Sequence, residues 1–352
     1  MRLADYNYHL PKELIANSPA SPRDSARLFV YNTATDTIQF DTFKNIGKYL
    51  PRPALLVMND TKVVPARLLL TKETGGKIKI LLMMNEFRNG DTLIKGIVDR
   101  KLILGTTLFF KNGSQLEVVK QGGQFFFFKP SVSGTTLWKL LDEEGRTPIP
   151  PYIKNTKLSE RALRERYQSV FAQERASVAA PTASLHFTEK LISRLKNDGV
   201  DHTEVTLHVG LGTFAPIDAK NIAEKKLFTE YYEVDEKSAG RIVQAKASGV
   251  PVIPVGTTAL RALESAAVTS DQGVTSVVAG ARKTNLFIYP PYDFKIADGL
   301  ITNFHVPKSS LMLLVDAFLQ HKKARRRTLE LYDVAIKEKF RFYSFGDGML
   351  II

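Results

Sequence analysis

Leu55-Leu56-Val57-Met58-Asn59-Asp60-Thr61-Lys62 decides how the chain is read. Four apolar residues in a row predict a strand buried on both faces, as in a sheet covered on both sides. Asn59-Asp60-Thr61-Lys62 is then a polar cluster at a strand's end, with Arg67 nearby. Upstream, 26–32 and 37–40 read as a strand pair around a polar turn. Downstream the pattern changes. Short segments rich in Ile, Leu, Val and Phe recur at 77–83, 92–98, 107–110, 116–120 and 124–128. Gly75-Gly76, Asn89-Gly90, Asn112-Gly113 and Gly122-Gly123 separate them. Regular short strands with such turns predict an antiparallel barrel or sandwich. Phe125-Phe126-Phe127-Phe128 suits alternate rings in a barrel core better than a base-stacking platform.

Trp138-Lys139-Leu140-Leu141 reads as helical, and Pro148-Ile149-Pro150-Pro151-Tyr152 as an extended connector back to the first part. Helices are predicted over 160–171, 188–197, 236–248, 258–268, 310–320 and 328–339. Gly249 provides a helix stop. Strands are predicted over 203–209, 250–255, 286–289 and 299–303. The fold class is therefore α/β: a discontinuous body, 1–65 and 148–352, carrying an inserted all-β antiparallel barrel, 66–147.

With 352 residues, 44% hydrophobic and 24% charged, the chain can fill about two cores and is not disordered. It has no cysteine, which excludes disulfides, thiol nucleophiles and cysteine-ligated clusters. No two of its six histidines share the i, i+4 spacing of a helical zinc site, so no metal site is expected. No apolar run approaches the roughly 18 residues of a membrane span, and Met1-Arg2-Leu3-Ala4-Asp5 is not an apolar signal segment. A cytoplasmic protein without a membrane partner is expected. The net charge of +13 suits a polyanionic partner, although plain solubility accounts for it equally. The densest basic run is His321-Lys322-Lys323-Ala324-Arg325-Arg326-Arg327, expected to meet nucleic-acid phosphates and to be removable at little cost in stability.

Further polar clusters lie where strands end. Ala179-Ala180-Pro181-Thr182-Ala183-Ser184-Leu185-His186 puts small residues before a histidine, so backbone can approach a ligand closely. A tight loop entering a helix capped by Thr188 is the alternative. His208-Val209-Gly210-Leu211-Gly212 follows a strand but lacks the third glycine of a dinucleotide fingerprint. Val255-Gly256-Thr257-Thr258 opens a helix, an arrangement that binds anions through free N–H groups. Arg261, one turn in, has the reach to clamp a carboxylate. Thr302-Asn303-Phe304-His305 is a similar strand end.

In order and number these segments resemble the S-adenosylmethionine:tRNA ribosyltransferase-isomerase family of the queuosine pathway, nearly end to end. The resemblance is carried by Val57-Met58-Asn59-Asp60-Thr61-Lys62-Val63-Val64-Pro65-Ala66-Arg67, Ser177-Val178-Ala179-Ala180-Pro181-Thr182-Ala183 and Thr206-Leu207-His208-Val209-Gly210. Val255-Gly256-Thr257-Thr258, Thr302-Asn303-Phe304-His305-Val306-Pro307-Lys308-Ser309 and Arg341-Phe342-Tyr343-Ser344-Phe345-Gly346-Asp347 extend it. Ser184 and Pro291 stand where the family usually has glycine, and Lys225 to Phe228 lie where it has a pair of histidines.

The resemblance implies an α/β body with an inserted barrel. It also implies transfer and isomerisation of the ribosyl part of S-adenosylmethionine onto 7-aminomethyl-7-deazaguanine at the wobble position of tRNA with a GUN anticodon. Epoxyqueuosine-tRNA, adenine and methionine result. S-adenosylmethionine is a cosubstrate, no cofactor is permanently bound, and a monomer is expected. The candidate catalytic residues are His186, His208 and Asp60. The candidate cosubstrate-binding residues are Thr182, Gly210, Gly212, Thr257, Thr258, Arg261, Asn303 and His305. A non-enzymatic RNA-binding module and an α/β methyltransferase are the rival readings. The first would leave S-adenosylmethionine unconsumed, and the second would release S-adenosylhomocysteine.

Overall fold

The structure, a computed structural model, describes residues 2–352 apart from 89, 155, 211–216, 218, 272 and 274. The strand Ala54–Asn59 is buried throughout, as its unbroken apolar run requires. It lies between Val252–Pro254 and Val200–Leu207 and is parallel to both. Lys226–Val234 and Gly280–Leu286 continue this sheet in antiparallel fashion, the latter at the edge. A second sheet runs Leu300–Asn303, Gly348–Ile351, Arg27–Asn32, Thr37–Thr42. A parallel bridge from Val255 to Ile301 joins the two sheets.

Helices cover the faces. Glu236–Ala247 and Thr257–Ala266 bury Ile242, Ala259 and Leu263 against the first sheet. Ser310–His321 and Thr328–Lys337 bury Leu314, Phe318 and Tyr332 with Phe29 and Phe304. Each such fully buried large apolar side chain contributes about 1.5–3 kcal/mol relative to exposure. Capping follows the sequence: Thr188 accepts from the Leu191 N–H at 3.1 Å, and Asp235 from that of Ser238 at 2.6 Å.

Six strands close the barrel: Arg67–Lys72, Lys77–Leu82, Ile94–Val98, Thr107–Phe109, Gln115–Gly122 and Phe125–Pro130. Leu68, Leu70, Ile78, Ile80, Leu116 and Val118 point inward with period two. Phe126 and Phe128 are buried among them, while Phe125 and Phe127 are half-buried on the outside. Pro65, just before the first barrel strand, runs beside Gly145, and Arg67 bridges Arg146. A Cβ on Gly145 would lie 1.8 Å from the Pro65 carbonyl oxygen, so only glycine allows the two strands of chain to pass.

The structure departs from the sequence reading in three places. The helix expected over 160–171 stops at Arg166. The Gln168 side chain then acts as a strand partner: it accepts from the Val63 N–H at 3.0 Å and donates to the Val63 carbonyl at 2.7 Å. The strand expected at 286–289 is instead Gly280–Leu286, whose Gly-Ala-Arg-Lys-Thr-Asn-Leu sequence has little apolar character because it is a sheet edge. Lys226–Val234, unassigned from sequence, is a full strand whose charged residues mask its buried alternation.

Candidate functional site

Two strand ends, two helix starts and a loop of small residues meet around a cavity of about 490 Å³. Val252–Pro254 delivers Gly256, Thr257 and Thr258; Leu300–Asn303 delivers Thr302, Asn303 and His305. The short 3-10 helix Thr182–His186 contributes Thr182 and Ala183. Tyr152, Lys308, Tyr343 and Ser344 complete the polar wall. None of the described lining residues is Asp or Glu.

Gly256 sits at φ +93°, which turns the chain from strand into helix. Helix Thr257–Ala266 has no side-chain cap, and the first N–H to bond back is that of Leu260, to the Gly256 carbonyl at 3.1 Å. Its first-turn N–H groups therefore have no intrahelical partner, and Thr257 and Thr258 carry this positive end to the cavity wall. Buried Asn59 holds the corner. Its Nδ2 donates to Thr258 Oγ1 and to the Leu207 carbonyl, each at 3.0 Å, while its Oδ1 accepts the N–H of Leu207 at 3.0 Å and of Thr61 at 3.1 Å. One side chain thus ties two adjacent strands to the helix start.

Of the expected binding residues, Thr182, Thr257, Thr258, Asn303 and His305 share this cavity. His305 is buried, with Nδ1 3.2 Å from the Tyr332 hydroxyl and Nε2 3.3 Å from that of Thr302. Burial depresses its pKa to about 3, so it is a neutral imidazole at pH 7. Asn303 donates to the Tyr343 carbonyl at 3.1 Å. Sequence reasoning missed Tyr152, Lys308, Tyr343 and Ser344 as cavity residues, although the last three lie in segments that carry the family resemblance. Tyr152 donates or accepts at 2.7 Å with Ser344.

The other expected residues that the structure describes do not line the cavity. His186 packs its ring on Phe43, with centroids 4.8 Å apart. Burial lowers its pKa to about 4, partly offset by Asp347 and Asn303, and its Nε2 has no hydrogen-bond partner. Asp60 accepts from Thr206 Oγ1 at 2.7 Å. Burial raises its pKa to about 6, with Glu174 and Glu204 adding to the shift. His208 Nδ1 lies 2.8 Å from Thr61 Oγ1, and burial, then Arg88, lowers its pKa to about 4.

Arg261 is committed elsewhere: its guanidinium pairs with Glu230, and its Nε donates to the Leu286 carbonyl at 3.2 Å. Glu230 also accepts the Gly210 N–H at 2.9 Å. Glu230 is the partner of Arg261 that sequence reasoning missed; a glutamate at a buried strand position, between Phe228 and Tyr232, was the available signal. A Cβ on Gly210 would lie 2.6 Å from Asn85 Nδ2, so this glycine lets the barrel's Asn85 against the body. Gly212 lies outside the described residues.

Among the described residues no group of His, Asp and Glu is arranged to hold a metal ion. No helix among them is long and apolar enough to cross a membrane. Ser184, fully buried, has a hydroxyl with no partner. Lys225 adopts φ +54°, and Phe228 meets Phe125 of the barrel.

An α/β body with an inserted antiparallel barrel, and a ligand-sized cavity walled by strand ends and helix starts, defines the class of α/β enzymes that bind a small molecule between sheet and helices. The model of the queuosine biosynthesis protein family matches residues 3–351, and the chain belongs to that family. It is 47% identical over 354 residues to the S-adenosylmethionine:tRNA ribosyltransferase-isomerase of Carboxydothermus hydrogenoformans, covering all of both chains. The enzyme of the same name from Fusobacterium nucleatum is 43% identical, over 99% of this chain and 96% of its own. The crystal structure of S-adenosylmethionine tRNA ribosyltransferase from Thermotoga maritima is similar at a TM-score of 0.54 and 32% identity, covering 99% of this chain and all of that one.

Proposed function

We propose that this chain is a cytoplasmic, monomeric enzyme that moves and isomerises the ribosyl part of S-adenosylmethionine onto 7-aminomethyl-7-deazaguanine at the wobble position of GUN-anticodon tRNA. Epoxyqueuosine-tRNA, adenine and methionine are its products. The observation that carries the reading is the match over 3–351 at up to 47% identity to relatives that bear this activity in their names. Residues 66–147 are one inserted unit in this reading, and 1–65 with 148–352 the unit that holds the cosubstrate.

The cavity suits a molecule with an anionic end and a cationic centre that must be handled without a carboxylate. The free N–H groups at Thr257 and Thr258 take the methionyl carboxylate, where helix polarity favours negative charge. The sulfonium acidifies the ribose 5′ carbon. A base removes that proton, adenine departs, the substrate amine attacks, and epoxide closure expels methionine. His305 is the histidine among the described residues that lines the cavity, so we place it beside the ribose of the ligand. Asn303, which lines the cavity, positions the ligand. Asn59, Asp60 and His208 hold the strand ends that form the wall.

The test incubates the protein with S-adenosylmethionine and precursor-bearing tRNA and measures adenine and methionine. The two should appear in equal amounts and only with that tRNA; S-adenosylhomocysteine in their place refutes the reading. His305→Gln should reduce release by about 10²–10⁴-fold, and normal turnover would remove His305 from the chemistry.

A further inference from the structure

Aromatic rings and cations alternate along the seam where the barrel meets the body. Phe125, outside the barrel, meets Phe228 of the body edge to face at 6.2 Å. Lys95 Nζ lies 4.0 Å from the Phe125 ring centre, and Lys120 Nζ 5.4 Å from that of Phe127. Tyr231 has two cations on its ring: Arg88 at 3.8 Å and Lys283 at 4.8 Å. All four rings are half-buried, and Lys120 and Lys283 are exposed. Neither lysine has an ion-pair partner among the described residues. A seam built for stability alone would be sealed by apolar contacts. Edge protection accounts for a lysine on Gly280–Leu286, but not for its seat on a ring or for the matching pairs on the barrel.

We infer that this seam is the surface on which the unpaired nucleotides of the RNA substrate lie, their bases on Phe125, Phe127, Phe228 and Tyr231 and their phosphates on Lys120 and Lys283. Lys95 is paired with Glu86 at 2.9 Å and Arg88 donates to the Asn85 and Phe87 carbonyls, but half-exposed rings beside the unpaired Lys120 and Lys283 are what a single strand requires: a flat π-face for each base and positive charge along the backbone. The seam is also wired to the cavity. The Tyr231 carbonyl accepts the His208 N–H at 2.9 Å, His208 meets Thr61, and the Thr61 N–H donates to Asn59, which holds Thr258 on the cavity wall. A base stacked on Tyr231, with Lys283 moved from the ring to its phosphate, is thus one strand away from the cavity. The inference rests on the tRNA reading of the function. It places the RNA at the seam rather than at the basic loop 321–327.

The test measures binding of an unmodified tRNA transcript across a salt series, together with adenine release from precursor-bearing tRNA. The paired substitution Lys120→Ala with Lys283→Ala should make the slope of log affinity against log salt shallower by about 1.4–1.8. Phe125→Leu and Phe228→Leu, which keep the seam apolar, should each weaken binding about ten-fold. Normal slope and affinity in all of them overturns the inference, as does a slope that changes only with Arg325→Ala in the basic loop. Absence of adenine release from the unsubstituted protein instead refutes the functional reading, and the binding results then stand separately.

Discussion

Replacing Arg261 by alanine distinguishes a ligand clamp from a structural ion pair. Arg261 and Glu230 are 7% and 3% exposed, so neither charge has water to fall back on. Truncating the arginine leaves Glu230 with the Gly210 N–H as its donor among the described residues. Breaking a buried pair from one side costs about 3–5 kcal/mol. Unfolding entropy of about 2.1 cal/mol/K per residue over about 350 residues converts this to a fall in Tm of roughly 4–7 °C. Removing both charges with Arg261→Met and Glu230→Gln together should recover at least half of the loss, because no uncompensated charge remains. Scanning calorimetry reads the stability, and titration calorimetry the affinity for S-adenosylmethionine. The folded fraction of Arg261→Ala should bind S-adenosylmethionine with unchanged affinity, since the guanidinium does not line the cavity. An unchanged Tm with lost affinity would refute the reasoning and restore Arg261 as a carboxylate clamp.

Acid should destabilise the protein before its other carboxylates titrate. His186 and His208 at about 4, and His305 at about 3, refuse protons that the unfolded chain takes up from 6.5 downward, so stability falls as pH drops below that value. Asp60, raised from 3.8 to about 6, opposes them by one proton. The net of two protons gives a slope approaching roughly 2.7 kcal/mol per pH unit between pH 6 and 4; a flat Tm across that range would contradict it. Ser184→Ala removes a buried hydroxyl without a partner and should raise stability by about 1 kcal/mol, read by urea unfolding; a loss would reveal a bond that hydroxyl makes. In the basic loop, the Arg327 guanidinium pairs with buried Asp316 while its backbone N–H donates to Glu330 at 2.7 Å, whereas Arg326 bonds Asp36 and Lys322 the Asp298 carbonyl. Arg327→Ala should therefore cost about 1–3 kcal/mol and Arg325→Ala under about 0.5; equal Tm values for the two would show the loop to be the solvated segment its sequence suggests.

That loop shows how charge runs mislead. Five cations in seven residues look free in the sequence, but three of them, Lys322, Arg326 and Arg327, meet Asp298, Asp36 and Asp316 from other parts of the chain. The same holds for Arg261. Its place one turn into a helix beside a Gly-Thr-Thr start was legible, and its partner, thirty-one residues away on a strand the sequence disguised, was not.

Local order carried most of the fold. The period-two alternation of the barrel strands, the unbroken apolar run before Asn59, the caps at Thr188 and Asp235 and the turn at Gly256 each rest on neighbours a few residues away. Backbone sterics and burial of one face dictate such features from sequence alone. The motifs likewise marked Thr182, Thr257, Thr258, Asn303 and His305 as site residues, because small and polar residues at strand ends have few structural reasons to be there. Only the tertiary structure decided that these five face one cavity while His186, His208 and Asp60 do not line it. It alone paired Glu230 with Arg261, and it alone set the rings of Phe125 and Phe228 across the same seam. Those outcomes depend on which strand lies beside which and on the twist between them, and contacts between distant segments leave no period in the sequence.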